Sequence, residues 1–169
     1  MRILGIDPGI AQTGWGVVDA QGQHYRPVSF GVIKTSTDPS LEERIHAIAT
    51  KVGTLVVEYK VQVVSMEDIF FAKNVSSAIG VAKVIGAIIQ QVMSMGIPTR
   101  LFTPLQIKLA VTGFGNAEKN QVQEMVRLLL KLESIPKSDH SADALAATIC
   151  FAANSNTEHR LGPKGDQAI

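Results

Sequence analysis

Among the acidic and histidine residues of this 169-residue chain, four stand out because each lies where a predicted element begins or ends. Asp7 ends a first strand and Glu67 ends a fourth, while His140 and Asp143 lie three apart in a last helix. That spacing puts the last two on nearly one face of the helix. Carboxylates gathered at an apolar strand end repel one another unless a cation binds them, and such oxygen ligands suit Mg²⁺ or Mn²⁺ better than zinc. The pattern predicts a metal-dependent site.

Each of these residues also has an ordinary structural explanation. Asp7 precedes Pro8-Gly9 and could be a turn residue, and Glu67 could be a solvated strand end. Acidic residues near position 140 could simply complement a helix N-terminus. Asp139 lies four residues before Asp143 and competes with His140 for the inward position, so this choice stays open.

The elements that must position these residues can be read from apolar periodicity and turn signals. Short links between the first three strands predict an antiparallel meander, and Ser40 with Glu43 forms a capping box before the first helix. The predicted strands are 1–7, 13–19, 25–35, 61–66 and 97–102, and the predicted helices begin at 41 and span 75–95, 104–111, 117–132 and 138–153, with a glycine-rich loop at 112–116. This order predicts an α/β fold: a mixed five-stranded sheet, first antiparallel and then parallel, with helices on both faces.

Composition places the chain among compact proteins, because 46% of its residues are hydrophobic and 18% are charged. We expect one domain over residues 1–153 and a disordered polar tail over 154–169. The single cysteine, Cys150, suits a reducing compartment. The apolar run near 85–95 is too short and too polar for a membrane span, and the first residues lack a signal-peptide layout, so we expect a cytoplasmic protein.

Charge is unevenly distributed along the chain. Residues 73–137 hold eight Lys or Arg against three acidic residues, whereas the segments before and after them are net acidic. A basic middle between acidic ends is typical of a phosphate-binding surface beside a carboxylate site, although ordinary surface variation would look the same. The helix from Val75 to Met95 is apolar over more than one face, which predicts either a dimer interface or a helix buried within the domain.

Four segments together resemble the motifs of the RuvC family of Holliday-junction resolvases. An Asp-Pro-Gly opening alone is shared with actin-like ATPases and other nucleases, but the four motifs in order over residues 1–153 are specific. The segments are Leu4–Gly9 with Thr13–Gly16, Glu67–Asn74, Gly113–Val122 and His140–Ala146. The resemblance implies a ribonuclease H-like fold, with Asp7, Glu67, His140 and Asp143 as the catalytic and metal-binding set. Many members have Asp at the position of His140, and others have His.

By the same resemblance, the reaction uses two Mg²⁺ ions, with Mn²⁺ as a possible substitute, and makes paired symmetric nicks with 5′-phosphate and 3′-hydroxyl ends. Phe70 and Phe71 follow the catalytic Glu67, and one of them should point away from the core, where it could wedge between bases. The alternative is that both are core residues. The candidates for DNA binding are these two aromatic residues and the cations Lys73, Lys108, Lys119 and Arg127.

A four-way junction has near two-fold symmetry, so we expect a homodimer with two equivalent sites. The resemblance also implies the branch-migration proteins RuvA and RuvB as partners. Two other functions stay open: another ribonuclease H-like nuclease acting on RNA or RNA–DNA hybrid, and a catalytically silent junction-binding module. An actin-like ATPase is excluded because the sequence has no internal duplication.

Overall fold

The computed structural model describes residues 1–69 and 75–161 of the chain. The strands are β1 (Arg2–Asp7), β2 (Gln12–Gln21), β3 (His24–Lys34), β4 (Val63–Glu67) and β5 (Thr99–Phe102). The helices are α1 (Leu41–Glu58), α2 (Val75–Ser94), α3 (Pro104–Thr112), α4 (Lys119–Leu129) and α5 (Asp139–Leu161). None of the helices in these ranges is long and apolar enough to cross a membrane.

The strands form one mixed sheet with the order β3-β2-β1-β4-β5. β1, β2 and β3 pair antiparallel, whereas β4 pairs parallel with both β1 and β5. The predicted fold class is therefore confirmed. In the parallel pair, Ile6 lies opposite Met66. The next residues on the two strands are Asp7 and Glu67, so both carboxylates come to the same edge of the sheet on adjacent strands.

Side-chain alternation along β1 and β4 sends these two carboxylates to the same face. Leu4, Ile6, Val64 and Met66 belong to a core with α1 and α2 on one face of the sheet. The intervening residues point to the other face, where α5 lies and where α3 and α4 pack against it. Asp7 and Glu67 are in this second set, which directs both side chains toward α5.

Small residues on the sheet let α5 lie very close to the strand ends. A Cβ atom at Gly5 would collide with the carbonyl oxygen of Ala144, and one at Gly14 would collide with that of His140. The buried hydroxyl of Ser65 donates to the Ala147 carbonyl oxygen at 2.7 Å, which joins β4 to the same helix. The first turns of α5 are thereby held directly against the ends of β1 and β2.

Three helix ends differ by more than one residue from those predicted from the sequence. α4 begins at Lys119 instead of Ala117, because the N–H of Ala117 donates to the Phe114 carbonyl at 3.2 Å in a turn, and it ends at Leu129 instead of Leu132. α5 continues to Leu161, so the predicted disorder from Asn154 was wrong for its first part. Residues 154–161 contain no glycine or proline that would end the helix before Gly162-Pro163. Residues 162–169 of the predicted tail lie outside the described residues.

Candidate active site

Asp7, Glu67 and Asp143 surround the edge of the sheet where β1 and β4 end against the first turns of α5. Asp7 is mostly buried, with 17% of its side chain exposed, and Asp143 keeps 27% exposed. His140 completes the group, since its Nδ1 atom lies 2.7 Å from Oδ2 of Asp7. The structure thus brings together all four residues that the sequence nominated for metal binding and catalysis. Their chemical roles stay predictions.

The neighbouring acid, Asp139, is directed away from this group and toward α4. Its Oδ1 atom accepts a hydrogen bond from Nε2 of Gln123 at 2.8 Å, and its Oδ2 atom lies 3.1 Å from Nζ of Lys119. These contacts hold the pKa of Asp139 below its ordinary value. The choice left open by the sequence therefore falls to His140, which is the residue in contact with Asp7.

Lys119 supplies a positive charge within the cluster. Its ammonium Nζ lies 3.3 Å from Oδ2 of Asp143 as well as 3.1 Å from Oδ2 of Asp139. It stands at the first residue of α4, where free backbone N–H groups also favour anions. From this position the Lys119 ammonium group could shift from the Asp143 carboxylate to a phosphate group bound nearby.

The electrostatics of the site show an excess of negative charge. Burial, aided by the charges of Asp7 and Asp143, raises the pKa of Glu67 to about 7. Burial likewise raises the pKa of Asp7, although the hydrogen bond with His140 opposes the change. The pKa of Asp143 is also raised by burial, against the opposing effect of Lys119. Three carboxyl groups with raised pKa values at one edge indicate a site that lacks enough cationic partners.

A small cleft opens beside these carboxylates. It has a volume of about 220 Å³ and is lined by Glu67, Pro104, Ile107, Lys108, Lys119, Val122, Asp143 and Ala146. Two carboxylates, two lysines and several apolar side chains therefore line the same cleft. The lysines can hold a phosphodiester by its non-bridging oxygens close to the carboxylates.

The donor set is suited to a divalent cation, although the side chains are not yet gathered around one point. Within the described part of the chain, no three His, Cys, Asp or Glu side chains already form a ready ligand group for a metal ion. A bound divalent cation would offset both the burial and the neighbouring charges that raise the pKa of Glu67. The residues therefore fit Mg²⁺ or Mn²⁺.

The remaining DNA-binding candidates are placed differently. Lys108 and Lys119 line the cleft, as a phosphate-binding role requires. Arg127 lies two turns further along α4, where its guanidinium is hydrogen-bonded to Glu124, and it is absent from the lining of the cleft. Phe70, Phe71 and Lys73 lie outside the described residues, so their predicted roles stay predictions.

One polar residue of the site was not nominated from the sequence. Gln123 holds Asp139 against α4 and so decides which residue of the Asp139-His140 pair faces Asp7. The available signal was its position four residues after Lys119, which puts both on one face of a helix. That spacing does not say which residue of another helix the face will meet.

A mixed five-stranded sheet with helices on both faces, carrying carboxylates at the ends of its first and fourth strands and at the start of its last helix, defines a nuclease of the ribonuclease H-like fold. Residues 3–151 match the family described as crossover junction endodeoxyribonuclease RuvC. The chain belongs to the RuvC family. Nucleases of this family depend on divalent metal ions.

Related proteins match nearly the whole chain. The RuvC of Brevibacillus brevis is 46% identical over 152 residues, which covers 90% of this chain and 92% of that protein. The RuvC of Caldanaerobacter subterraneus subsp. tengcongensis is 40% identical, with 96% and 98% covered. The structure of Thermus thermophilus RuvC in complex with its Holliday junction substrate is 34% identical and has a TM-score of 0.88, with 93% and 96% covered.

Proposed function

We propose that this chain resolves Holliday junctions by paired symmetric nicks in DNA strands of like polarity, leaving 5′-phosphate and 3′-hydroxyl ends in recombination and repair. The observation that carries the proposal is the convergence of Asp7, Glu67 and Asp143 at one sheet edge, in a chain of the RuvC family. The Thermus thermophilus relative, whose structure contains a Holliday junction, has the same fold over nearly its whole length.

Two Mg²⁺ ions per site, replaceable by Mn²⁺, are the proposed cofactor. Asp7 would be shared between the two, with Glu67 and Asp143 each completing one. When bound, the ions would activate the attacking water and stabilise the charge that grows on the leaving 3′ oxygen. Asp7 suits the shared position because its strand lies between β2 and β4, directly beneath the first turn of α5.

His140 contributes a group that can accept a proton. When its Nδ1 carries the hydrogen and donates it to Oδ2 of Asp7, the lone pair of the ring lies on Nε2. Because 43% of the side chain is exposed, that second nitrogen can be reached by water or substrate. We propose that Nε2 either takes a proton from the attacking water or serves as a further metal ligand.

Lys108 and Lys119 are the proposed phosphate-binding residues. Both line the cleft beside Glu67 and Asp143. Lys119 contacts Asp143, and a phosphate entering the cleft would offer it an alternative anion. The side chain would then leave Asp143 available as a metal ligand at the moment when DNA binds.

A homodimer through α2 is proposed for the two-fold symmetric substrate. The inner face of α2 is buried in the domain core through Val84, Ile85, Ile88 and Val92. Its outer face presents small and apolar residues at heptad-like spacing, namely Ile79, Ala82, Gly86, Ile89 and Met93, of which Ile79 is 51% exposed and Met93 is 54% exposed. The inner face bears out the buried-helix alternative. For the outer stripe we propose the other alternative, packing against the same helix of a second copy.

The dimer is tested by Ile79→Glu, which places a charge at the N-terminal end of the outer stripe. We expect the variant to sediment as a monomer and the unmodified chain as a dimer. Val57→Glu is the matched control, because Val57 is 67% exposed on the neighbouring α1 and lies outside the stripe. A dimer that survives Ile79→Glu at micromolar concentration contradicts this interface.

RuvA and RuvB are proposed partners by family membership, and a cytoplasmic location is proposed because the substrate is DNA.

The test of function is cleavage of a labelled mobile four-way junction, compared with linear duplex and RNA–DNA hybrid, in Mg²⁺, Mn²⁺ or EDTA. We expect paired nicks in the junction alone. Binding without cleavage in either metal would identify a silent module, and cleavage of the hybrid would reassign the substrate.

A further inference from the structure

Phe114 is an exposed aromatic residue on a fixed backbone. Its side chain is 70% exposed, the largest value among the apolar side chains found at the described surface. The loop that carries it starts at Gly113, which ends α3 in the left-handed conformation at φ 79°. The backbone N–H of Phe114 donates to the Thr112 hydroxyl at 3.1 Å, and that hydroxyl lies 2.8 Å from the Lys108 carbonyl oxygen. The ring is therefore presented to solvent by a loop that is tied to α3.

A second cleft, here called the Phe114 pocket, lies between this loop and the first turns of α4. Its volume is about 740 Å³, and Phe114 forms an aromatic wall. The polar lining consists of the amides Asn116, Asn120 and Gln121 and the carboxylates Glu118 and Glu124. Lys and Arg are absent from the described lining, so the chemistry does not suit a phosphate group. A flat apolar wall with amide and carboxylate groups suits a nucleobase and its polar edge.

Two of the amides are held in a defined orientation. Oε1 of Gln121 accepts from the Glu118 backbone N–H at 2.8 Å, and Oδ1 of Asn120 accepts from the Gln121 backbone N–H at 2.8 Å. Because each carbonyl oxygen is engaged by the backbone, the NH₂ groups are the ends that these side chains can offer a ligand. The pocket thus combines oriented amide donors with the carboxylates of Glu118 and Glu124, the second of which is paired with Arg127. Donors and acceptors of this kind can read a base edge.

The Phe114 pocket lies next to the proposed active site across a single helix. Lys119 reaches Asp143 on one side of α4, while its neighbours Glu118 and Asn120 line the pocket on the other. A helix with side chains is roughly 10–12 Å across. That distance is about three base steps at roughly 3.4 Å per step along one strand. A DNA strand whose phosphate is held at Lys119 therefore has a base within reach of the pocket.

We propose that the Phe114 pocket binds an unstacked nucleobase of the cleaved strand, within about four nucleotides of the cut, and contributes to the choice of cleavage sequence. Phe114 stacks on the base, and the amides of α4 contact its edge. The proposal rests on the proposed junction substrate and adds a specificity-determining contact to it.

The test uses junctions with a single 2-aminopurine placed in turn at each position near the cut, because this base fluoresces more strongly when unstacked from its DNA neighbours. The protein carries Asp7→Asn so that the junction stays intact during binding. We compare Phe114, Phe114→Ala and Phe114→Trp in that background. Leu128→Ala is the matched control, since Leu128 is 51% exposed near the end of α4 and lies outside the pocket.

We expect a fluorescence change at one or two adjacent positions, which is lost in Phe114→Ala, kept in Phe114→Trp and unaffected by Leu128→Ala. Junction affinity should fall about fivefold or more in Phe114→Ala, since stacking of one base on an aromatic ring is of that size. With Asp7 restored, Phe114→Ala should cut junctions of different sequence at more nearly equal rates.

The proposal is overturned if Phe114→Ala keeps the fluorescence pattern, the affinity and the sequence discrimination of the parent protein. That result would leave the proposed function intact, because the parent would still cut junctions. A parent protein that does not cut junctions would instead refute the proposed function itself. Melting temperatures of the three Phe114 proteins should agree, and a loss of folding in Phe114→Ala would show as a lower melting temperature. In that case the comparison of the parent with Phe114→Trp still tests the proposal, because a fluorescence change that is absent from both contradicts it.

Discussion

Strand β1 has a charged residue at each end, and the two ends differ in how that charge is compensated. At the first end, Nε and Nη2 of Arg2 donate to the two carboxylate oxygens of Asp19 at 2.8 and 2.9 Å, and Arg26 adds a contact at 3.3 Å. The hydrogen bond from Arg2 lowers the pKa of Asp19. At the other end, Asp7 lies beside two further carboxyl groups, and burial raises the pKa of all three.

The difference supports the proposal that the Asp7 end serves chemistry and the Arg2 end serves stability. A carboxylate with a lowered pKa contributes to folding at neutral pH, whereas one with a raised pKa costs folding free energy there. Both arrangements occur on the same strand, so the local backbone does not cause the difference. The three acids at the far end gain a compensating partner when a divalent cation or the DNA-binding lysines engage them.

Asp7→Asn should have the largest effect. It removes the carboxylate that is proposed to serve both metal ions, while keeping the size of the side chain. Metal ions supply several kcal/mol of transition-state stabilisation, so we expect single-turnover cleavage of a four-way junction to slow by about 10³-fold or more. Junction affinity should change by less than about tenfold, because the phosphate-binding lysines stay in place.

Asp19→Asn is the matched control for this variant, since it makes the same chemical change at the opposite end of the sheet. Its cleavage rate should stay near that of the unmodified chain. If Asp7→Asn cuts junctions within about tenfold of the parent rate, the carboxylate cluster is not the catalytic centre and the contrast between the two ends loses its functional meaning.

Glu67→Gln should stabilise the metal-free protein at alkaline pH. The folded-state pKa of Glu67 is about 7, above the value of 4.5 for an ordinary glutamate. Ionisation therefore becomes costly to the folded state as pH rises from about 4.5 to 7, and the cost is constant above that range. In EDTA at pH 8, we expect the variant to have a free energy of unfolding higher by roughly 3 kcal/mol at most, from the usual conversion of a pKa shift.

At pH 4 the two proteins should unfold at nearly the same denaturant concentration, because Glu67 is then protonated in both states. Glu133→Gln removes the same charge at an exposed position and corrects for the change in net charge. A stability gain that is as large at pH 4 as at pH 8 would show that the ionisation of Glu67 is not its source.

Divalent cations should stabilise the parent protein without any DNA. At a free Mg²⁺ concentration about 100 times its dissociation constant, binding to the folded state alone adds about 2.7 kcal/mol to the free energy of unfolding. We expect the rise in melting temperature to be larger at pH 8 than at pH 5, because ligand carboxyl groups must be deprotonated. Asp7→Asn should lose most of this rise, and Asp19→Asn should keep it. An equal rise in all three proteins would indicate nonspecific binding.

The sequence was sufficient for the sheet and for the residues at its edge. Alternating apolar residues and turn signals predicted β1 to β5 within one or two residues at most ends, and carboxylates at strand ends predicted the cluster. Side-chain alternation also predicts that Asp7 and Glu67 share a face once the parallel register is known. These features depend on local pattern and on the order of strands, which the sequence carries directly.

The contacts between helices could not be predicted in the same way. Judged from the sequence alone, His140 and Asp139 could equally face the strand ends. Asp139 instead contacts Gln123 and Lys119 of α4, which leaves His140 beside Asp7. The distance of α5 from the sheet depends on Gly5 and Gly14, which in the sequence look like ordinary strand glycines. The raised pKa of Glu67 depends on burial by segments distant in the chain.

Asp19→Asn should have the smallest effect on stability, and it tests the other half of the comparison. The pKa of Asp19 is lowered by its hydrogen bond with Arg2, so its contribution to folding is present above the ordinary carboxyl pKa and is lost as pH falls through the lowered value. With about 30% of each side chain exposed, solvent weakens the pair, and we expect a loss of about 1 kcal/mol or less at pH 7. Urea unfolding at pH 7 and pH 3 measures it. The loss should shrink at pH 3, which is opposite in sign to the pH dependence of Glu67→Gln, and parallel pH profiles for the two variants would remove the distinction between the two ends of β1.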